Sequence, residues 1–157
     1  MHNIREFMAD DHRRCDDVFA DAEQAVADGD WARADARFAQ FRQAVLQHFA
    51  AEESLLFPAF EEKTGMSMGP TQVMRGEHVQ MRELLDEGAA ALAARDAEGY
   101  SGSSETLLIM MQQHNMKEEN VLYPMCDQHL VDYVETLVPR LQAQIQSPTH
   151  PQPGADA

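Results

Sequence analysis

His48-Phe49-Ala50-Ala51-Glu52-Glu53-Ser54-Leu55-Leu56-Phe57-Pro58 is answered 66 residues later by His114-Asn115-Met116-Lys117-Glu118-Glu119-Asn120-Val121-Leu122-Tyr123-Pro124. Both stretches obey His-x-x-x-Glu-Glu-x-x-Leu-(Phe/Tyr)-Pro. The same offset lays Asp11-His12 over Glu77-His78, so four of the seven histidines fall into two pairs. A histidine at i and a glutamate at i+4 project from one helix face, one turn apart. The reading is therefore helical. A duplication that carries its histidines along predicts one site built twice and shared at a pseudo-twofold axis.

Working outward, alanine, leucine, glutamate, glutamine, arginine and methionine dominate, and no stretch alternates with period two. Breaks fall at Asp28-Gly29-Asp30, from Thr64-Gly65 through Gly69-Pro70, and near Asp96. Asp30 and Asp96, again one offset apart, suit N-caps, and Pro70 suits a first helical turn. Four long helices are expected over about 4–27, 31–62, 71–95 and 97–127, with Gly99 and Ser101-Gly102-Ser103-Ser104 weakening the start of the fourth. A shorter helix is expected over about 130–146. Residues 1–146 then form one domain, and 147–157, rich in proline, form a flexible tail. Pro58 and Pro124 are expected to kink or end the second and fourth helices.

Each long helix carries an apolar seam at steps of three and four. The seams are Met8, His12, Cys15, Phe19, Ala22 and Val26; Phe38, Phe41, Val45, His48, Glu52 and Leu55; Met74, His78, Met81, Leu85 and Leu92; and Tyr100, Leu107, Met111, His114, Glu118 and Val121. Every helix thus sets a histidine where a bundle wants an apolar residue. Short connections favour antiparallel neighbours, so the fold class is an all-α, antiparallel up-down four-helix bundle with a short extra C-terminal helix.

Composition narrows the partners. A net charge of −15 excludes nucleic acid and anionic membrane surfaces, which need a basic face. No run is long and apolar enough to span a bilayer. The start Met1-His2-Asn3-Ile4-Arg5 lacks an apolar signal segment, and Cys15 and Cys126 make no disulfide framework, so a cytoplasmic protein is expected. Cys15 reads as a small core hydrophobe. Met81, Met110, Met111 and Met116 are expected near the site.

A lone His-x-x-x-Glu on an acidic helix is usually a surface pair worth about 0.2–0.5 kcal/mol. Two in matching contexts, inside apolar seams, are different. A buried unpaired carboxylate costs several kcal/mol, and so do buried imidazoles without partners. A cation satisfies them together. His12, His48, His78 and His114 with Glu52 and Glu118 offer mixed nitrogen and oxygen donors, which suit iron, manganese or zinc.

On these residues the chain resembles the hemerythrin-like, or HHE, cation-binding family, over about residues 5–127. The resemblance rests on His12, His48-x-x-x-Glu52, Glu77-His78, His114-x-x-x-Glu118 and the two Leu-(Phe/Tyr)-Pro tails. It implies a bundle holding two iron ions in a non-haem centre, with the four histidines as terminal ligands and Glu52 and Glu118 as bridges. Oxygen-carrying members have a further histidine four residues after the third-helix histidine. Here that position is Arg82, whose guanidinium is no ligand. Water, Glu53, Glu119 or Asp16 could fill the gap, and Arg82 could pair with a nearby carboxylate.

Three function classes follow. The first is a di-iron protein binding or sensing O2 or NO, or handling iron. The second is a di-iron enzyme reducing peroxide or NO, or acting in repair of oxidative or nitrosative damage. The third is a redox-inactive metal-binding module, whose acidic faces and fifth helix could serve a homodimer or redox-partner interface.

Overall fold

The computed structural model describes residues 2–146, so the expected tail and its His150 lie outside the described residues. Seven α-helices occur among them: α1 Ile4–Ala27, α2 Trp31–Ala51, α3 Phe57–Thr64, α4 Pro70–Ala93, α5 Ala97–Lys117, α6 Tyr123–His129 and α7 Val134–Gln146. A π-helical turn, Glu52–Leu56, joins α2 to α3 without a break, and a second, Glu118–Leu122, joins α5 to α6. The four long rods are thus α1, α2–α3, α4 and α5–α6.

The boundaries have local causes. Asn3 caps α1 by accepting from the Glu6 N–H, Asp30 caps α2 through Arg33, and Asp96 caps α5 through Gly99. The Asp96 cap starts the fourth rod at Ala97 despite the glycines and serines that follow. Gly29 turns between α1 and α2 with φ +71°, where glycine carries no Cβ penalty. Its repeat mate, Arg95, adopts the same left-handed region at φ +54°. Arg95 is held there by Asp35, 2.7 and 2.9 Å away, and by the Trp31 ring.

Pro58 and Pro124 end neither rod. The Phe57 N–H reaches the Glu52 carbonyl, and the Tyr123 N–H reaches the Glu118 carbonyl. This i→i−5 pattern widens the turn just ahead of each proline, and the helix runs on. One extra residue per turn also moves the seam. Leu56 and Leu122 are buried, whereas Val121, expected in the core, is 52% exposed and Leu55 is only partly buried.

The rods pack as the antiparallel four-helix bundle, and α7 lies across α2 and the Glu52–Leu56 turn. Two apolar clusters form. One is built from Phe19, Phe38, Phe41, Leu85, Tyr100 and Leu107 among others. The other gathers Ile4, Met8, Leu56, Phe57, Phe60, Leu122 and Tyr123 with Leu137, Val138, Leu141 and Ile145 of α7. The apolar side of α7 is therefore spent on the bundle's own core. Each long rod passes from one cluster to the other through its histidine. No helix of the described residues is long and apolar enough to cross a membrane.

Candidate metal centre

His12, His48, His78, His114, Glu52 and Glu118 form the layer between those clusters, each 0–5% exposed. The structure brings all six together. Donor atoms of Glu52, His78, His114 and Glu118 lie within 4.8 Å of one another, and those of His12, His48 and Glu118 do the same. Glu118 belongs to both groups. Glu52 divides its oxygens: Oε1 lies 3.1 Å from His78 Nε2, and Oε2 lies 3.7 Å from His48 Nε2. Glu118 Oε1 lies 3.1 Å from His12 Nε2 and 3.3 Å from His114 Nε2.

Behind the histidines stands a second frame of carboxylates. Asp11 lies 2.7 Å from His48 Nδ1, Glu53 2.7 Å from His78 Nδ1, Glu77 2.8 Å from His114 Nδ1, and Glu119 2.8 Å from His12 Nδ1. An ionised carboxylate only accepts, so each Nδ1 donates and each neutral imidazole turns an Nε2 lone pair inward. Cations hold three of these carboxylates in place: Arg14 on Asp11, Lys117 on Glu77 and Arg82 on Glu53. Glu119 is anchored differently, with Arg5 Nε donating to its backbone carbonyl at 2.7 Å.

These contacts correct three expectations. Glu53 and Glu119 do not fill the position left by Arg82, because they brace His78 and His12 from outside. Asp16 is exposed. Arg82 does pair with a carboxylate, and its guanidinium also covers the Phe49 ring at 5.4 Å, with Phe49 stacked on His78 at 3.9 Å. Met116 is 61% exposed, while Met81 and Met111 line the core as expected. Burial pushes the Cys15 thiol up to about 11, in keeping with a core hydrophobe.

Tyr123 was read from sequence only as part of a repeated tail, yet its hydroxyl sits inside the layer. It lies 2.7 Å from Glu52 Oε2, 2.9 Å from Glu118 Oε1, 3.2 Å from His48 Nε2 and 3.3 Å from His12 Nε2. In an α-helix a residue five positions after Glu118 would point about 140° away from it. The π turn closes that angle and returns Tyr123 to the face of Glu118.

The electrostatics fit a cation. Burial works against charge on His48 and His114, yet Glu52 with Asp11 raises His48 well above its usual range. Glu118 with Glu77 raises His114 to about 9. Burial likewise opposes charge on Glu52, but His48 and His78 hold its carboxyl well below the ordinary range. Burial and then the charges of Glu118 and Glu52 keep the Tyr123 phenol protonated far above its usual range. Four buried atoms of the layer have no hydrogen-bond partner: Glu52 Oε1, His78 Nε2, His114 Nε2 and Glu118 Oε2. The first three lie close to one another or to Glu118 Oε1, but out of line for a hydrogen bond. Lone pairs facing carboxylate oxygens at such range call for a proton or a metal ion between them. The donor set fits a pair of divalent or trivalent first-row ions.

A family model described as Hemerythrin HHE cation binding domain matches residues 3–126. No curated protein and no solved structure matches the chain.

Proposed function

Because the chain belongs to the hemerythrin HHE cation-binding domain family, we propose that it is a non-haem di-iron protein that binds a small diatomic ligand, O2 or NO, in sensing, scavenging or iron handling. The observation that carries this reading is the convergence of six buried donor side chains from the four rods, four of whose atoms lack any other partner. His12 and His48 would hold one iron and His78 and His114 the other, with Glu52 and Glu118 completing the ligand set. When bound, a ferrous pair supplies electrons and an open coordination position.

The chain's own residues do the rest. Asp11, Glu53, Glu77 and Glu119 fix the tautomer and aim of each imidazole and raise its basicity. Phe49 and Phe57 flank His78 and keep water from that side. With the six donors 0–5% exposed, only a small ligand can enter without large movement of the helices.

Metal analysis and the visible spectrum of aerobically purified protein test the proposal. A pair of irons per chain and ferric charge-transfer absorption are expected. No metal, or a single zinc without such absorption, overturns it. The reduced protein is then mixed with O2 or NO. A reversible spectral change supports ligand binding, whereas irreversible oxidation with repeated turnover of peroxide or NO carries the enzyme reading instead.

A further inference from the structure

The two halves of the molecule differ at one buried ring. Tyr123 and its repeat mate Phe57 occupy equivalent places. The Tyr123 ring lies 5.7 Å from His12 at 28°, and the Phe57 ring lies 5.8 Å from His78 at 22°. Both are fully buried. What distinguishes them is the hydroxyl, and it points among donor atoms already assigned to a metal.

Its four distances, 2.7, 2.9, 3.2 and 3.3 Å, have a common meaning. One O–H can donate to one acceptor only. Two of the four neighbours are carboxylate oxygens, which accept, and the roles of the His12 and His48 Nε2 atoms depend on their protonation. Yet metal bonds of about 2.1 Å meeting at right angles hold neighbouring donors about 3.0 Å apart. The hydroxyl keeps that spacing from two imidazole nitrogens and two carboxylate oxygens at once. Among the described residues, the His78 and His114 side shows no such oxygen; Phe57 and Phe49 stand there instead.

We infer that the phenol oxygen of Tyr123 is a ligand of the metal held by His12 and His48, and that the open position therefore belongs to the metal held by His78 and His114. The inference rests on the di-iron reading and adds a ligand to it. As the oxygen–metal bond forms, the phenol proton leaves for solvent, and no electron is transferred. A hard phenolate oxygen suits a ferric ion, as tyrosine ligation of haem iron illustrates.

The protein is loaded with ferrous ion, oxidised in air, and its iron counted. A phenolate-to-ferric charge-transfer band in the visible is expected, with phenolate vibrations enhanced in resonance Raman excited within it. Of the three tyrosines, Tyr100 and Tyr133 do not touch the layer, so such vibrations in the wild type already identify Tyr123. Tyr123→Phe places at 123 the ring that 57 already has. It should fold, with a metal-free melting temperature lowered only by loss of the hydroxyl's hydrogen bonds to Glu52 and Glu118, and lose the band completely. Phe57→Tyr should bring a second phenolate and raise the band about two-fold per iron pair. Iron bound without the band, or a band that survives in Tyr123→Phe, overturns the ligand assignment alone. A hydrogen-bonding role for the hydroxyl would give that result. A wild type that takes up no iron overturns the underlying metal reading as well.

Discussion

Arg82 grips Glu53 through two contacts, 3.0 and 2.9 Å long, and Glu53 in turn holds His78 Nδ1 at 2.7 Å. The residue standing where oxygen carriers have another imidazole thus acts on the centre at third hand. Burial alone would raise the Glu53 carboxyl, but His78 and Arg82 outweigh it and bring it to about 2. Glu53 is therefore charged throughout the working range and keeps the His78 tautomer fixed.

Glu53→Ala should weaken metal binding by about 10–100-fold, the usual cost of losing a carboxylate behind a ligating imidazole. Arg82→Ala should act in the same direction but less. The double variant should bind no more weakly than Glu53→Ala alone. Competition with a chelator measures all three, and fully additive losses would show that Arg82 acts by another route.

Proton and metal compete for the same nitrogens, which sets the sign of the pH dependence. His114 is raised from 6.5 to about 9, so it stays protonated in the folded metal-free protein where it would be neutral in the unfolded chain. That stabilisation is complete below 6.5 and is lost as pH rises through about 9. Metal binding needs the Nε2 lone pair and gains over the same interval. The melting temperature of metal-free protein should fall across this window, and the gap between loaded and metal-free protein should widen. A gap that narrows with rising pH would contradict the arrangement.

Removal of a shared ligand should cost more than removal of a terminal one. Glu118→Ala withdraws a carboxylate that faces both His12 and His114. It should abolish metal loading and with it the melting-temperature gap. His48→Ala and His114→Ala should each lower metal content and the loaded melting temperature. Wild-type metal content in both histidine variants would leave the layer without a metal role.

The π turns make a prediction about packing. Leu122 is 1% exposed and Val121 is 52% exposed, the reverse of the seam expected from the sequence. Leu122→Ala should destabilise the metal-free protein by about 2–5 kcal/mol. Val121→Ala should stay within about 0.5 kcal/mol. Urea denaturation distinguishes the two, and equal losses would place both side chains in the core.

The helices, the Asp30 and Asp96 caps and the six converging side chains are legible in the sequence, because period and duplication are local patterns. Asp30 and Asp96 could be recognised as caps since an N-cap acts only on the next turn. The carboxylate frame was visible as letters but not as partners. His48 meets Asp11 from another helix, and His12 meets Glu119 from across the bundle, so neither pairing follows a helical spacing. The exposure of Val121 and the inward place of Tyr123 escape the sequence pattern for one reason. A register counted at 3.6 residues per turn fails after a turn that bonds i to i−5, and the signal for that turn was the proline following each motif.

The frame of four carboxylates joins the halves in an unusual way. Asp11 with His48 and Glu77 with His114 pair inside a half, while Glu53 with His78 and Glu119 with His12 pair between halves. Two identical half-chains facing each other would close the same frame, but every residue in such a dimer would have to appear twice. Fusion into one polypeptide lifts that obligation. The single oxygen atom separating Tyr123 from Phe57 is a difference that two identical subunits could never hold, and with it one side of the layer can specialise while the other keeps its shape.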